Sequence, residues 1–324
     1  MWDAVSTFVQ EHDKFVITTH INPEGDAIGS EVAFAEFLKG LGKTATIVNS
    51  SATPANCRFL EGTEGIVVYD SAFDRSILDG ADAVVIVDVN NWGHLGPFGN
   101  VLKGDSTPRA CIDHHEDADE DFAGVMVCDT SAAAAGLLVY DFIKFMKADI
   151  TPAIADAAYT AILTDTGSFR FSNTNRRAFL AAADLCAAGV NPFGIYRKVY
   201  AKSWGASHLV GSALSTLEKN ADGRIAWISI TQDMLSAAGA VYEDSDGLVE
   251  MVRGIVGVEL CLIFKELAGG EIKVSLRSNG KVDAFEIARS FGGGGHRMAS
   301  GMRLDGPMPS AIKKLVPVCE ARLP

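Results

Sequence analysis

An α/β fold is predicted, with an N-terminal doubly wound parallel sheet and a smaller C-terminal α/β domain. Two observations predict it. Short β-branched runs alternate with helical periodicity over roughly the first 185 residues, and the runs end in polar clusters. That periodicity then weakens from Gly189-Val190-Asn191-Pro192 to about Gly211, after which alternating strand patterns begin again. The expected division is therefore a domain over 1–188, a linker over 189–211 and a second domain over 212–324.

The elements follow in order. Lys14-Phe15-Val16-Ile17-Thr18-Thr19 reads as a strand running straight into His20-Ile21-Asn22-Pro23-Glu24-Gly25-Asp26. A helix is expected from about Ala27, burying Ile28, Val32, Ala35, Phe37 and Leu38 and stopping at Gly40 before a strand over Thr44–Val48. Ala83-Val84-Val85-Ile86-Val87 runs into Asp88 in the same way, and Arg109-Ala110-Cys111-Ile112, a weaker strand, precedes Asp113-His114-His115. An Ala-rich helix is expected over Ser131–Lys147. Thr151-Pro152 supplies a cap and first position for the next helix, whose end near Leu163 delivers Thr164-Asp165. In the C-terminal part, strands are expected over 224–230, 261–265 and 272–277, the last two forming a hairpin. A helix over 283–290 then leads into Phe291-Gly292-Gly293-Gly294-Gly295-His296.

Composition narrows the class. A chain of 324 residues with 48% hydrophobic and 21% charged residues has the mix of a soluble globular protein with room for two cores. No stretch approaches the length of a membrane span, and Met1-Trp2-Asp3-Ala4 lacks the basic start of a signal peptide, so a cytoplasmic location without membrane contact is expected. The six cysteines are widely spaced and form no C-x-x-C pair, which points to reduced thiols rather than a disulfide framework or zinc ribbon. A net charge of −13 argues against wrapping a long duplex, yet leaves room for a small basic pocket and for cations that neutralise clustered acids.

In open parallel sheets ligands gather outside the carboxyl ends of the strands, where these polar clusters fall. His20, Glu24 and Asp26 share a turn tightened by Pro23 and Gly25, so three ligands for a metal can converge there. Asp26 fits equally as a cap of the following helix. Asp88 is a ligand candidate or a strand-terminal turn residue, given Asn90-Asn91 and Gly93 just after it. Asp113-His114-His115 suits one imidazole on a metal, the other on a substrate oxyanion, and an aspartate orienting a ring; the acids from Glu116 to Asp121 fit an exposed loop instead. Asp165 is a ligand or a helix C-terminal turn. The glycine run lets backbone N–H groups and His296 meet an anion, or is a flexible turn. Arg277 is a bidentate phosphate fork or a surface arginine.

The ordered set His20-x-x-x-Glu24-x-Asp26, Asp88, Asp113-His114-His115, Thr164-Asp165-Thr166-Gly167-Ser168-Phe169-Arg170, Arg277-Ser278 and Gly292-Gly293-Gly294-Gly295-His296 resembles the DHH/DHHA1 phosphoesterases over nearly the whole chain. In length and motif wording it is similar to the bifunctional nanoRNase/3′-phosphoadenosine 5′-phosphate phosphatases. The resemblance implies a DHH domain, a DHHA1 domain and an active site in the cleft between them. It implies two divalent cations, Mn²⁺ first and Mg²⁺ or Co²⁺ as alternatives. One would be held by His20, Glu24 and Asp88, the other by Asp26, Asp88, His114 and Asp165. Two such cations about 3.5–4 Å apart activate water for in-line attack on phosphorus. His115 would meet the scissile phosphate, with Arg277, Gly292, Gly293, Gly294, Gly295 and His296 gripping another. The implied substrates are short oligoribonucleotides, dinucleotides such as pGpG, or a nucleoside bisphosphate, and the implied assembly is a homodimer. Glu24 departs from the family pattern, which has aspartate there. Two further readings fit the ligand set: a family II-like inorganic pyrophosphatase, and a nucleotide sensor without turnover.

Overall fold

The computed structural model describes the chain except for Thr63, Glu64, Ser71, Asp117 and Asp246; Asp117, one of the acids after His115, thus lies outside the described residues. The residues divide into two units, Met1–Ala201 and Lys202–Pro324.

In the first unit, α1 (Asp3–Glu11) leads to β1 (Lys14–Thr18), α2 (Gly25–Gly40), β2 (Thr44–Asn49), β3 (Val67–Val68), α3 (Ser76–Asp79) and β4 (Ala83–Val87). There follow α4 (Gly96–Lys103), β5 (Arg109–Asp113), β6 (Val125–Cys128), α5 (Ala135–Phe145), α6 (Pro152–Asp165), α7 (Arg176–Ala187) and α8 (Pro192–Tyr200). The sheet order is β3-β2-β1-β4-β5-β6, and all its pairings are parallel. The chain leaves β1 in one direction and returns at β4 to go the other way, so the topological switch point lies between the carboxyl ends of β1 and β4. His20 and Asp88 follow those two strands directly.

A β-strand sends alternate side chains to opposite faces, and both faces here are covered. Phe15, Ile17, Val85 and Ile112 pack with Ile28, Phe34, Leu138 and Ile162 of the helices on one side. Val16, Val84, Ile86 and Cys111 pack with Phe98, Leu102 and Phe122 on the other. Nearly all of α2 is buried, because it is wedged between the sheet and α6. Gly29 makes that contact close: a Cβ there would lie 2.4 Å from the carbonyl oxygen of Ala157. Gly29→Ala gains helix propensity of about 1 kcal/mol, but the neighbour is backbone and cannot swing aside. A net loss of roughly 1–3 kcal/mol is expected, read as a lower midpoint in thermal unfolding.

The stretch expected as a linker is largely helical. Ile195 and Val199 of α8 join the first core, while Leu209 and Ala213 of α9 (Trp204–Leu214) belong to a core of the second unit. The signals were local: Asn191 caps α8 with Pro192 at its first turn, and Ser203 caps α9. The helix expected over Ser131–Lys147 begins only at Ala135, because Ala134 is extended at φ −167°. The helix expected from Ala27 starts earlier, at Gly25.

The second unit continues with β7 (Glu218–Lys219), β8 (Ile225–Ile230), α10 (Gln232–Ala238), α11 (Leu248–Arg253), β9 (Leu260–Glu266) and β10 (Ile272–Ser278). It ends with α12 (Ala284–Arg289), β11 (Gly294–His296), β12 (Ala299–Leu304) and α13 (Met308–Glu320). Its sheet order is β11-β12-β10-β9-β8-β7, with β8 parallel to β9 and the other pairs antiparallel. Among the described residues no single helix is long and apolar enough to cross a membrane.

Candidate metal centre

The side chains that follow β1, β4 and β5 converge on the carboxylate of Asp88. Its Oδ2 lies 3.4 Å from His20 Nε2, and its Oδ1 lies 3.4 Å from His114 Nε2 and 3.8 Å from His115 Nδ1. His114 Nε2 is also 3.7 Å from Asp26 and 3.9 Å from Asp165. Ligating atoms of Asp26, His114 and Asp165 group tightly enough to hold one cation, and so do those of Asp88, His114 and His115. The second grouping was not foreseen, since His115 was expected to face substrate alone.

Each ring is oriented from behind. The Nδ1 of His20 is 2.9 Å from the carbonyl of Ile21, and that of His114 is 3.2 Å from the carbonyl of Ala132. A carbonyl only accepts, so both Nδ1 atoms carry the proton and both Nε2 atoms are left to ligate. His115 differs. Its Nδ1 meets Asp113 Oδ1 at 2.9 Å, Asp113 is fully buried, and more than half of the His115 side chain is exposed.

Asp26 is buried and receives 2.7 and 2.8 Å hydrogen bonds from the backbone N–H groups of Ala135 and Gly136, plus one from Ser30 Oγ. It thus caps the N-terminus of α5 rather than that of its own helix, with the favourable end of the helix dipole aimed at it. Asn173 donates to Asp165 Oδ2 at 3.0 Å and also to the carbonyl of Ala133. Asn173, like the Ala135 and Gly136 amides, escaped sequence reasoning, since a lone asparagine and backbone donors leave no motif. Glu31 is also fully buried; it accepts from Asn49 Nδ2, whose Oδ1 in turn accepts from the backbone N–H of Thr19, next to His20. An acid amid the apolar residues of α2 was the signal available for it. Glu24 occupies the exposed N-cap position of α2, makes no capping bond, and lines a cavity with Asp165.

The electrostatics match a cation site. Buried Asp88 Oδ1 and His114 Nε2 both lack a hydrogen-bond partner although they face each other. Orphaned buried polar atoms are costly, and a divalent ion would take a lone pair from each. Burial works against a charged His20, yet its bond to Asp88 prevails and pushes the ring up to about 9. His114 rises to about 10, with burial again outweighed, here by Asp88, Asp26 and Asp165. Burial lifts Asp165 to about 6, with His114 opposing and Asp88 and Glu24 adding. Asp26 is driven well above the usual carboxylate range, first by burial and then by Asp88 and Asp165. Asp88 stays below that range because the neighbouring His114 and His20 rings, each 3.4 Å away, outweigh its burial. One carboxylate is thus held ionised between two imidazoles, with two further acids held back by burial and by repulsion, the second of which a cation would relieve.

The turn after Asp165 is strained. Gly167, Ser168 and Phe169 have φ of 53°, 62° and 61°, three successive left-handed residues. For Ser168 and Phe169 this costs of order 1–3 kcal/mol each. The turn is held by Thr166, whose Oγ1 accepts from the N–H of Phe169 and whose carbonyl accepts from the N–H groups of Arg170 and Phe171.

In the second unit, Gly292 and Gly293 close the end of α12, and Gly294 and Gly295 pair as part of β11. Arg277 and His296 both pair with Ala299, from β10 and β11 respectively, so their side chains share one face of the sheet. Ser275, Gly301 and Gly294 form the adjoining row of small residues. Three of the four glycines are needed by the backbone, Gly292 by the turn that ends α12 and Gly293 and Gly295 by their closeness to β12. A Cβ at Gly293 would lie 2.3 Å from the Gly301 carbonyl, one at Gly295 would lie 2.6 Å from the Ala299 carbonyl, and Gly292 has φ 75°. Gly294 alone has ordinary φ and open space around it.

The sequence and the fold match those of known proteins. The DHH family, N-terminal domain, matches residues 14–162, and the DHHA1 domain matches residues 225–323. The Thermus thermophilus bifunctional oligoribonuclease and PAP phosphatase NrnA is 33% identical, covering 90% of this chain and 84% of its own. The Bacillus subtilis protein of the same name is 25% identical, covering 90% and 89%. The crystal structure of an exopolyphosphatase-related protein from Bacteroides fragilis superposes with a TM-score of 0.91 at 30% identity, covering 98% of this chain and 95% of that one. With its acidic and imidazole cluster at the switch point of the first sheet and a DHHA1 domain later in the sequence, the chain belongs to the DHH family and is a metal-dependent phosphoesterase.

Proposed function

We propose that the chain hydrolyses short oligoribonucleotides and 3′-phosphoadenosine 5′-phosphate, using two divalent cations with manganese as first choice. The names of its relatives support the substrates. The observation that carries the reading is the pair of orphaned buried atoms, Asp88 Oδ1 and His114 Nε2, set among five further candidate ligands and phosphate contacts. His20, Glu24 and Asp88 would hold one cation, and Asp26, Asp88, His114 and Asp165 the other. When bound, such a pair neutralises phosphoryl charge and acidifies a water.

The chain's own groups do the rest. The capping amides of α5 fix Asp26, Asn173 fixes Asp165, and the two backbone carbonyls fix the His20 and His114 tautomers, so little reorganisation accompanies the reaction. His115, raised above its ordinary value chiefly by its bond to Asp113, stays protonated more readily and offers its exposed edge to a phosphoryl oxygen. Glu24 is one methylene longer than aspartate and is exposed at the N-cap of α2, so it would have to fold back to hold a cation. Arg277, His296 and exposed Gly294 would take a second phosphate.

Activity with Mn²⁺ on a 5′-phosphorylated dinucleotide, on 3′-phosphoadenosine 5′-phosphate and on pyrophosphate tests this. Turnover of the first two is expected; turnover of pyrophosphate alone would make the protein a pyrophosphatase, and turnover of none would leave a sensor. In the same assay Arg277→Ala is expected to raise KM for the phosphorylated dinucleotide about 10–100-fold with kcat little changed, as for loss of one charge-assisted hydrogen bond. Equal effects on a dinucleotide lacking the 5′-phosphate would remove Arg277 from that role.

A further inference from the structure

A cavity of about 340 Å³ opens in the first unit beside Glu24 and Asp165, walled by Pro23, Pro54, Asn56, Phe171 and Tyr200. Its size suits a small-molecule site, and its walls are mostly apolar and aromatic. None of these wall residues has a place in the metal chemistry.

Phe171 is 45% exposed, yet it is held from behind. A Cβ on Gly167 would lie 2.4 Å from its ring, so the ring rests directly on the glycine backbone. Arg170, whose guanidinium carbon is 6.0 Å from the ring centre, is itself tied to the Gly167 carbonyl by a 2.6 Å bond. The three left-handed residues at 167–169 therefore set the position of an aromatic side chain that faces the cavity rather than the core. Strain of this kind persists where a ligand is clamped. The other wall is fixed too: the Tyr200 ring leans on that of Tyr196 at 4.8 Å, and Asn56 Nδ2 donates to the Val199 carbonyl at 3.1 Å.

We propose that this cavity is the nucleobase subsite for the nucleotide whose phosphate lies at the metal cluster, with Phe171 and Tyr200 as its stacking surfaces. The inference rests on the phosphoesterase reading above and names the part of the substrate that reading leaves unplaced. Glu24 and Asp165 line one end of the cavity, so a nucleotide anchored by its phosphate there has the two rings within reach of its base. Stacking on an aromatic ring is tolerant of sequence, because every base has a π-face. That tolerance suits an enzyme that takes oligoribonucleotides of any sequence and an adenine nucleotide alike.

Titration calorimetry with Mn²⁺ present tests it, using adenosine monophosphate and ribose 5-phosphate as probes. The wild-type chain is expected to bind the nucleotide roughly 5–100-fold more tightly than the sugar phosphate, as base–aromatic stacking provides. In Phe171→Ala this ratio falls towards one, and in Phe171→Tyr it returns. A ratio near one in the wild type, or an unchanged ratio in Phe171→Ala, overturns the subsite. Equal loss of both probes in Phe171→Ala and Phe171→Tyr overturns it as well, by showing a structural role. Turnover does not enter the measurement: base-dependent binding through Phe171 without hydrolysis keeps the subsite and removes the reaction, whereas hydrolysis with a Phe171-independent ratio does the reverse.

Discussion

Asp88→Asn is expected to lower kcat/KM by roughly 10³-fold or more, about 4 kcal/mol of transition-state stabilisation, while leaving the fold intact. Asp88 faces three imidazoles, two of them at 3.4 Å, and it is the one carboxylate of the cluster held below the usual range. Replacing it removes the ligand common to both proposed cations and the charge that draws His20 and His114 inward. The backbone tolerates the change. Asp88 has φ 59°, a left-handed conformation that asparagine adopts more readily than most residues, so asparagine is a cleaner probe than alanine. Loss of the charge also eases the repulsion that Asp88 exerts on Asp26 and Asp165. It also removes the attraction that holds His20 and His114 charged, so the cation-free variant should still fold cooperatively but melt below the wild type near pH 7. Saturating Mn²⁺ should raise the wild-type midpoint, by about 2.7 kcal/mol of stability at 100 times Kd, and should leave the variant's almost unmoved. A variant that keeps both its activity and its Mn²⁺-dependent shift would contradict the central place given to Asp88.

The parts of this site that could be read from sequence are those where chemistry and local structure coincide. His20 and Asp88 each stand at the end of an unbroken β-branched run, and a polar residue there has few purely structural uses. The candidacy of Asp26 as a metal ligand is readable from its turn, but its capping role is not, because the helix it caps begins at Ala135, more than a hundred residues on. Asn173 carries no spacing relative to Asp165 that periodicity would detect; only the strained turn between them makes the two meet. The glycine run is legible in a different way. Its density reads as an anion-binding turn, and the sequence does not show the second demand on it: Gly293 and Gly295 must be small because β12 passes directly beneath them. Likewise the weak hydrophobic pattern over 189–211 concealed two helices whose caps, Asn191 and Ser203, were the better guide.

Cation loading is expected to expel about two protons per chain from the imidazoles at pH 7.5, in addition to any held by Asp26. Without a cation, His20 and His114 hold their second protons up to about pH 9 and 10, because Asp88 and its neighbours stabilise the charged rings. Their Nδ1 protons are committed to the carbonyls of Ile21 and Ala132, so the proton that leaves is the one on Nε2. Calorimetry in buffers of different ionisation enthalpy would count these protons. The overall affinity should rise about 100-fold per pH unit between roughly pH 6.5 and 9, and more steeply below about 6, where Asp165 also carries a proton. The same groups fix the sign for folding. Both rings titrate higher in the folded chain than the ordinary histidine value near 6.5, so their contribution to stability is complete below that value and is lost as pH rises through 9 to 10. The cation-free protein should thus melt at falling temperatures from about pH 7 to 10. The loaded protein, having already surrendered those protons, should not, and the gap between the two melting curves should widen with pH. A gap independent of pH, with no protons released, would mean that both imidazoles are neutral before any cation arrives and that Asp88 is not holding them charged.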